Sequence, residues 1–271
     1  MEKEKINIMA VQMESVIAYK DANFKKIEKL ISDNIRPDVD ILVLPELWNV
    51  GWACNKFIDS AESLDNSPTI ELLKSLAIKY NVNILGGSFV RKSGHQYFNS
   101  CPVITRKGEL AAIYDKNHLF SYYDDSEGDY ITKGHNPVIV DIEGVKIGLS
   151  ICYDIRFPEI YRAYRKAGAD ILVNMAAWPL SRAIHWNSLT QARAVENQTF
   201  MVALTQTGEL PTGAKNLGHS MIYDYSGDIL SEIDTEEGAI FASLNLYDMY
   251  NFREQCTILN DICEDYSVLC K

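Results

Sequence analysis

Six cysteines are spread over 271 residues, and no two are spaced as Cys-x-x-Cys. That sparseness excludes a disulfide-framework fold and leaves a zinc ribbon or a thioredoxin-like redox pair without support. Cys256, Cys263 and Cys270 fall seven apart near the C-terminus, but no histidine joins them, so packing is expected of them rather than a metal site. No apolar run approaches the length of a bilayer-spanning helix. Positive charge is in deficit: the formal net charge of -11 argues against nucleic acid or an anionic membrane surface as a partner. The first residues, Met1-Glu-Lys-Glu-Lys5, are charged and run straight into a strand, unlike a signal peptide, so a cytoplasmic location is expected. No linker interrupts the chain, and a single domain over residues 1–271 is expected.

What remains is the composition of a soluble globular protein, 47% hydrophobic and 23% charged. Strand and helix patterns alternate. Ile6 to Gln12 reads as a strand, and Asp21 or Asn23 as the cap of a helix with Phe24, Ile27, Leu30 and Ile31 on one face. Ile41 to Leu44 is short and wholly apolar, the pattern of a strand buried on both sides. Ser67-Pro68 opens a second helix, Val82 to Leu85 is a strand, and Gly86-Gly87 loosens the chain after it. Lys107-Gly108 and Glu143-Gly144 each sit between two strand-like runs and mark hairpins. Ala169 to Asn174 and Thr199 to Thr205 are strands around a helix near His185–Asn197, and a last pair surrounds Ser226-Gly227.

The centre of the chain is Gly148-Leu-Ser-Ile-Cys152-Tyr-Asp-Ile-Arg-Phe-Pro-Glu159. An apolar strand from Val145 to Ile151 runs into a helix that opens at Pro158, carries Ile160, Tyr161 and Tyr164 inward, and stops at Gly168. Cys152 therefore lies on a strand-to-helix bend, which can lift a nucleophile from a sheet and leave a backbone N–H free beside it. A buried structural cysteine is the competing reading.

Glu46 in Leu44-Pro-Glu-Leu-Trp48 and Lys116 in Tyr114-Asp-Lys-Asn-His-Leu119 each lie just past an apolar strand. Amide hydrolysis needs a nucleophile, a proton carrier and a holder for the carbonyl oxyanion. Cys152 fits the first and Glu46 the second, since none of the five histidines lies in a setting like that of a Cys-His protease. Lys116 fits the third, with the backbone N–H of Tyr153 as second donor. Taken singly, Glu46 also reads as a helix N-terminal acid and Lys116 as a surface lysine.

In order, these three segments resemble those of the nitrilase superfamily, the carbon–nitrogen hydrolases with a Glu-Lys-Cys triad, and the resemblance runs from about Ile6 to about Leu244. It implies an α/β fold, a four-layer α-β-β-α sandwich of the nitrilase type, and a homodimer built through helical faces. It also implies a second glutamate after the lysine, for which Glu127 is the match. Arg156, four residues after the cysteine, matches the arginine that holds the substrate carboxylate in N-carbamoyl amino-acid hydrolases; a salt bridge to Asp154 or Glu159 competes with that role. Trp178-Pro-Leu-Ser-Arg182, Trp186 and Gln191 to Asn197 resemble the ω-amidase branch, which acts on 2-oxoglutaramate and 2-oxosuccinamate. There Trp178 would touch the substrate, with core packing as its alternative. His118 is expected to support its loop. No cofactor and no metal are implied, because thiol, carboxylate and ammonium cover every role. An N-carbamoyl or other aliphatic amide or nitrile hydrolase is the nearest enzymatic alternative. A non-catalytic relative that binds an acyl ligand or partner protein is the alternative from another class.

Overall fold

The protein's structure is a computed structural model that describes residues 4–122, 125–210 and 212–263. Cys270 lies outside the described residues. In the first half, β1 (Lys5–Gln12), α1 (Lys20–Asn34) and β2 (Ile41–Val43) precede α2 (Phe57–Ser60), β3 (Glu62–Ser63) and α3 (Pro68–Tyr80). Then come β4 (Asn83–Leu85), β5 (Phe89–Ser93), β6 (Gln96–Ile104), β7 (Leu110–Asp115) and the short β8 (Ser121–Tyr122) and β9 (Asp125–Ser126). The second half holds β10 (Ile139–Ile142), β11 (Val145–Ile151), α4 (Pro158–Lys166), β12 (Ile171–Ala176) and α5 (Ala183–Asn197). It ends with β13 (Phe200–Thr205), β14 (Met221–Tyr223), β15 (Ile229–Glu232), β16 (Gly238–Asn245) and α6 (Leu246–Gln255).

Two mixed sheets result. One runs β16-β1-β2-β4-β6-β5-β3, with β7 on β6, and the other runs β10-β11-β12-β13-β14-β15. The central strands β1, β2 and β4 pair in parallel, as do β11, β12 and β13. Side-chain alternation then divides each strand between two cores. Ile6, Ile8 and Ala10 of β1 and Ile41 and Val43 of β2 join Ile147, Leu149 and Ile151 of β11 in the core between the sheets. Met9, Val11, Leu42 and Leu44 face the other way, against Ile27 and Ile31 of α1 and Ile70, Leu73 and Leu76 of α3. On the second sheet Ser150 faces Tyr161 of α4, and Gly148 is glycine for a reason: an added Cβ would stand 2.7 Å from the Tyr164 ring. The layers are helix, sheet, sheet, helix, as the resemblance implied.

Both hairpins form where the sequence places them, Gln96–Ile104 with Leu110–Asp115 and Ile139–Ile142 with Val145–Ile151. The cap expected at Asp21 or Asn23 is a correction. The helix begins at Lys20 with Tyr19 in the cap position and no side-chain cap bond. Asn23 is a helical residue whose amide instead ties down backbone, accepting from Val16 N at 2.7 Å and donating to Asn49 O at 3.0 Å. The Gly86-Gly87 pair does not loosen the chain. Gly87 has φ +64°, and a Cβ there would stand 2.0 Å from the Pro45 carbonyl, so it lets two backbones meet beneath Glu46.

Candidate active site

Glu46 follows β2 on a turn that is fastened at several points. Leu47 N–H donates to Ser88 Oγ at 2.9 Å, the Trp48 indole donates to Gly86 O at 2.9 Å, and Gln206 Nε2 donates to the Glu46 carbonyl at 2.6 Å. Leu47 takes a left-handed φ of +48° to make the turn. Lys116 leaves the end of β7 with its N–H bonded to Asn99 O at 2.9 Å. Glu127 opens a single helical turn, and its Oε2 accepts from Phe120 N at 2.9 Å.

Cys152 sits on the expected bend, between β11 and a short turn that leads into α4 at Pro158. Its φ is +45°, a left-handed conformation that costs an L-residue about 1–2 kcal/mol. Asp154 holds the bend by accepting from Ile151 N at 2.9 Å. Tyr153 stands second in this turn, where the first N–H groups have no intrahelical partner.

Glu46, Lys116 and Glu127 meet with no exposed side-chain surface. Lys116 Nζ lies 2.9 Å from Glu46 Oε1 and 2.9 Å from Glu127 Oε2. Glu46 Oε2 accepts from the Ala177 N–H at 2.8 Å, and the Trp52 ring lies 5.2 Å from the ammonium. Neither a helix-terminal acid nor a surface lysine describes this arrangement.

Electrostatics follow from the burial. Burial pushes the Glu46 carboxyl above its ordinary range, opposed by Lys116 and reinforced by Glu127. Burial alone would favour neutral Lys116, but Glu127 and Glu46 outweigh it and hold the ammonium well above the ordinary lysine range. The Cys152 thiol is also pushed well up, by burial and then by the Glu46 carboxylate, against the pull of Lys116. Burial therefore favours the uncharged form of the thiol, next to a carboxylate that can take its proton.

Asp154 does not pair with Arg156. It is buried and takes the Tyr114 hydroxyl at 2.6 Å, with His118 N at 2.9 Å and Nδ1 at 2.7 Å. His118 also stacks on Phe157 with centroids 3.8 Å apart, which is the loop support expected of it. Arg156 has no carboxylate partner among the described residues. Its fork donates to His185 Nδ1 at 3.3 Å from each terminal nitrogen and lies 4.9 Å from the Trp178 ring centroid. Trp178 is nearly fully buried against Trp186, with Nε1 bonded to Arg182 O at 2.9 Å. Packing is thus one part of what Trp178 does, and it also forms the floor under the Arg156 fork. Among the described residues no group of His, Cys, Asp and Glu is arranged to hold a metal ion.

Sequence reasoning missed Asn99, whose amide touches both buried carboxylates, and the Ala177 N–H that aligns Glu46. The signal for Asn99 was no more than a polar residue, next to Ser100, within a strand; a backbone N–H carries no signal at all.

Comparison with known proteins follows the same lines. Residues 7–254 match the carbon-nitrogen hydrolase family. The chain is 35% identical over 261 residues to a 2-oxoglutaramate amidase of Bacillus subtilis, covering 96% of this chain and 99% of that protein. It is 31% identical over 261 residues to a hydrolase in the agr operon of Staphylococcus aureus, covering 95% and 98%. Among solved structures, XC1258 of Xanthomonas campestris, described as a CN-hydrolase superfamily protein with an arsenic adduct in its active site, superposes with a TM-score of 0.89 at 26% identity over 99% of this chain and 100% of that one. Saccharomyces cerevisiae Nit3 does so with a TM-score of 0.84 at 26% identity, over 94% and 95%.

Proposed function

This chain belongs to the carbon–nitrogen hydrolase family, and from that premise we propose that it is a cysteine-dependent amidase of ω-amidase type, with Cys152, Glu46, Lys116 and Glu127 as its catalytic residues. The observation that carries this reading is the sealed ion cluster, an ammonium held at 2.9 Å by two carboxylates. A structural role does not account for it, since burying three charges costs more than an apolar core of the same shape.

The chemistry proceeds in two halves. Cys152 gives its proton to Glu46 as its sulfur attacks the amide carbon. The carbonyl oxygen becomes an oxyanion between the Lys116 ammonium and the Tyr153 N–H. Glu46 returns the proton to the amide nitrogen, the C–N bond breaks and ammonia leaves a thioester on Cys152. A water then loses its proton to Glu46 and attacks the thioester; the C–S bond breaks, the thiol recovers its proton and the acid departs. Glu127 keeps Lys116 charged and in place throughout.

The substrate proposed is a small amide with a carboxylate at its far end, of the kind 2-oxoglutaramate and 2-oxosuccinamate represent. Two observations support it: the Arg156 fork has no carboxylate partner among the described residues, and relatives bear the names 2-oxoglutaramate amidase and ω-amidase. Arg156 and Trp178 would bind that end, bidentately and by packing. We further propose one domain over residues 1–271, a cytoplasmic location, and a homodimer. Leu180, Ile184 and Val195 are exposed on and beside α5 and suit a helical contact.

Ammonia release from 2-oxoglutaramate, succinamate, glutamine, an N-carbamoyl amino acid and a simple nitrile, run with wild type and Cys152→Ala, tests the reading. Preference for the first two, abolished in the variant, is the expected result. Silence of folded wild type across the panel would sink it.

A further inference from the structure

Asn99 Nδ2 reaches both buried carboxylates at once, 2.9 Å from Glu46 Oε1 and 3.0 Å from Glu127 Oε1. The residue is 1% exposed, and its Oδ1 is buried without a hydrogen-bond partner, so its side chain is engaged through the NH2 group alone. A primary amide nitrogen carries two N–H bonds pointing apart, one for each carboxylate. The residue lies on β6, and its own carbonyl accepts the Lys116 backbone N–H at 2.9 Å.

Two carboxylates that share a buried site compete for a proton, because each anion raises the pKa of the other. Lys116 is a single positive charge between them. The other groups facing the cluster are Cys152 from the bend after β11, whose thiol burial pushes toward its neutral form, and the Trp52 ring. Arg91 and Asp115 are charged neighbours, but they pair with each other at 2.7 Å and with Ser100, which points to the opposite face of β6. Apart from Lys116, then, the only side chain that donates to both carboxylates among the described residues is Asn99.

Building on the amidase reading above, we propose that Asn99 is a positioning residue for the reaction: its two N–H groups hold Glu46 and Glu127 apart as ionised carboxylates, so that Glu46 is unprotonated and aimed when Cys152 gives up its proton. Without it Lys116 alone separates the two acids, and the unprotonated base should be lost at a higher pH than in the wild type.

The test measures the pH dependence of kcat/KM and of Cys152 alkylation by iodoacetamide, a readout that needs no amide substrate. Wild type, Asn99→Ala, Asn99→Asp and Glu46→Gln are compared, with folding followed by circular dichroism. The isosteric Asn99→Asp serves if the alanine variant fails to fold. The acidic limb should move up by about one pH unit or more in Asn99→Ala and further in Asn99→Asp, which adds a third acid. kcat should fall about 100-fold with KM little changed, as for a misplaced base. In Asn99→Ala/Glu127→Gln, where one competing acid is gone, the limb should return toward the wild-type position. An acidic limb unmoved in both Asn99 variants, whatever happens to the rate, overturns the proposal and leaves Asn99 a packing residue. If Glu46→Gln leaves the alkylation profile unchanged, the base assignment itself falls and takes the role of Asn99 with it.

Discussion

The hydroxyl of Tyr114 donates to Asp154 at 2.6 Å, and both residues are fully buried. Tyr114 lies two residues before Lys116, and Asp154 two residues after Cys152. One hydrogen bond therefore spans the two sheets and sets the lysine strand against the cysteine bend. Asp154 adds the His118 backbone and ring and the Ile151 N–H to the same clamp.

Asp154→Ala should accordingly cost stability and activity together. The loss strands several buried donors, at about 1–3 kcal/mol each before relaxation, so a drop of about 3 kcal/mol in urea unfolding is expected. Turnover should fall about 100-fold or more, because a small displacement between nucleophile and oxyanion holder is amplified in rate. Wild-type stability in this variant would show that the clamp is idle.

Replacement of Cys152 separates chemistry from backbone strain. Cys152→Ala and Cys152→Gly should both lose turnover. At φ +45° the alanine keeps the left-handed penalty and the glycine does not, so Cys152→Gly should be the more stable of the two by about 1 kcal/mol. Equal midpoints in urea would mean that the bend relaxes at no cost.

The pH profile has a definite sign. In the proposed mechanism Glu46 must be unprotonated to receive the thiol proton, and burial raises its pKa from the usual 4.5. Activity should therefore be present above that raised value and be lost as pH falls through it, with the acidic limb of kcat/KM above the ordinary carboxylate range. Because the Cys152 thiol is also raised, its alkylation should accelerate with pH well beyond neutrality. Fast, pH-independent alkylation at pH 6 would instead reveal a preformed thiolate.

Arg156→Ala should raise KM about 100-fold for amides with a distal carboxylate, the loss of a charge-assisted fork, and leave neutral aliphatic amides nearly unchanged. Arg156→Lys should recover little, since one ammonium cannot replace two parallel N–H bonds. An equal loss on charged and neutral amides would assign Arg156 to the scaffold.

Gly87→Ala tests the ground under Glu46. Its Cβ would stand 2.0 Å from Pro45 O at a φ of +64°, so backbone must shift. A loss of about 2–4 kcal/mol is expected, with a fall in kcat from a displaced base. Unchanged kcat would show that the turn adapts without moving the carboxylate.

The local and the distant divide cleanly in this protein. The bend at Cys152 was legible because its causes are neighbours in the chain: an apolar run, Pro158 and Gly168. So were both hairpins, the proline-opened helices and the two-faced strands, which depend on side-chain period and turn chemistry alone. With the family resemblance added, Glu46, Lys116, Cys152 and Glu127 could be singled out, and the fold brings Glu46, Lys116 and Glu127 into direct contact. What alternation cannot say is which strand a strand will meet. β16 crosses to the first sheet and pairs antiparallel with β1, Lys5 opposite Asn245, a register set by two cores that form only when the sheets stack. The start of α1 escaped for a related reason, because Asn23 found better partners in Val16 and Asn49 than in its own helix end. Asn99 and Asp154 escaped as well. In sequence one is a polar residue in a strand and the other an acid beside an arginine. Their work is defined by groups dozens of residues away, and only burial, which removes water as an alternative partner, obliged each to find them.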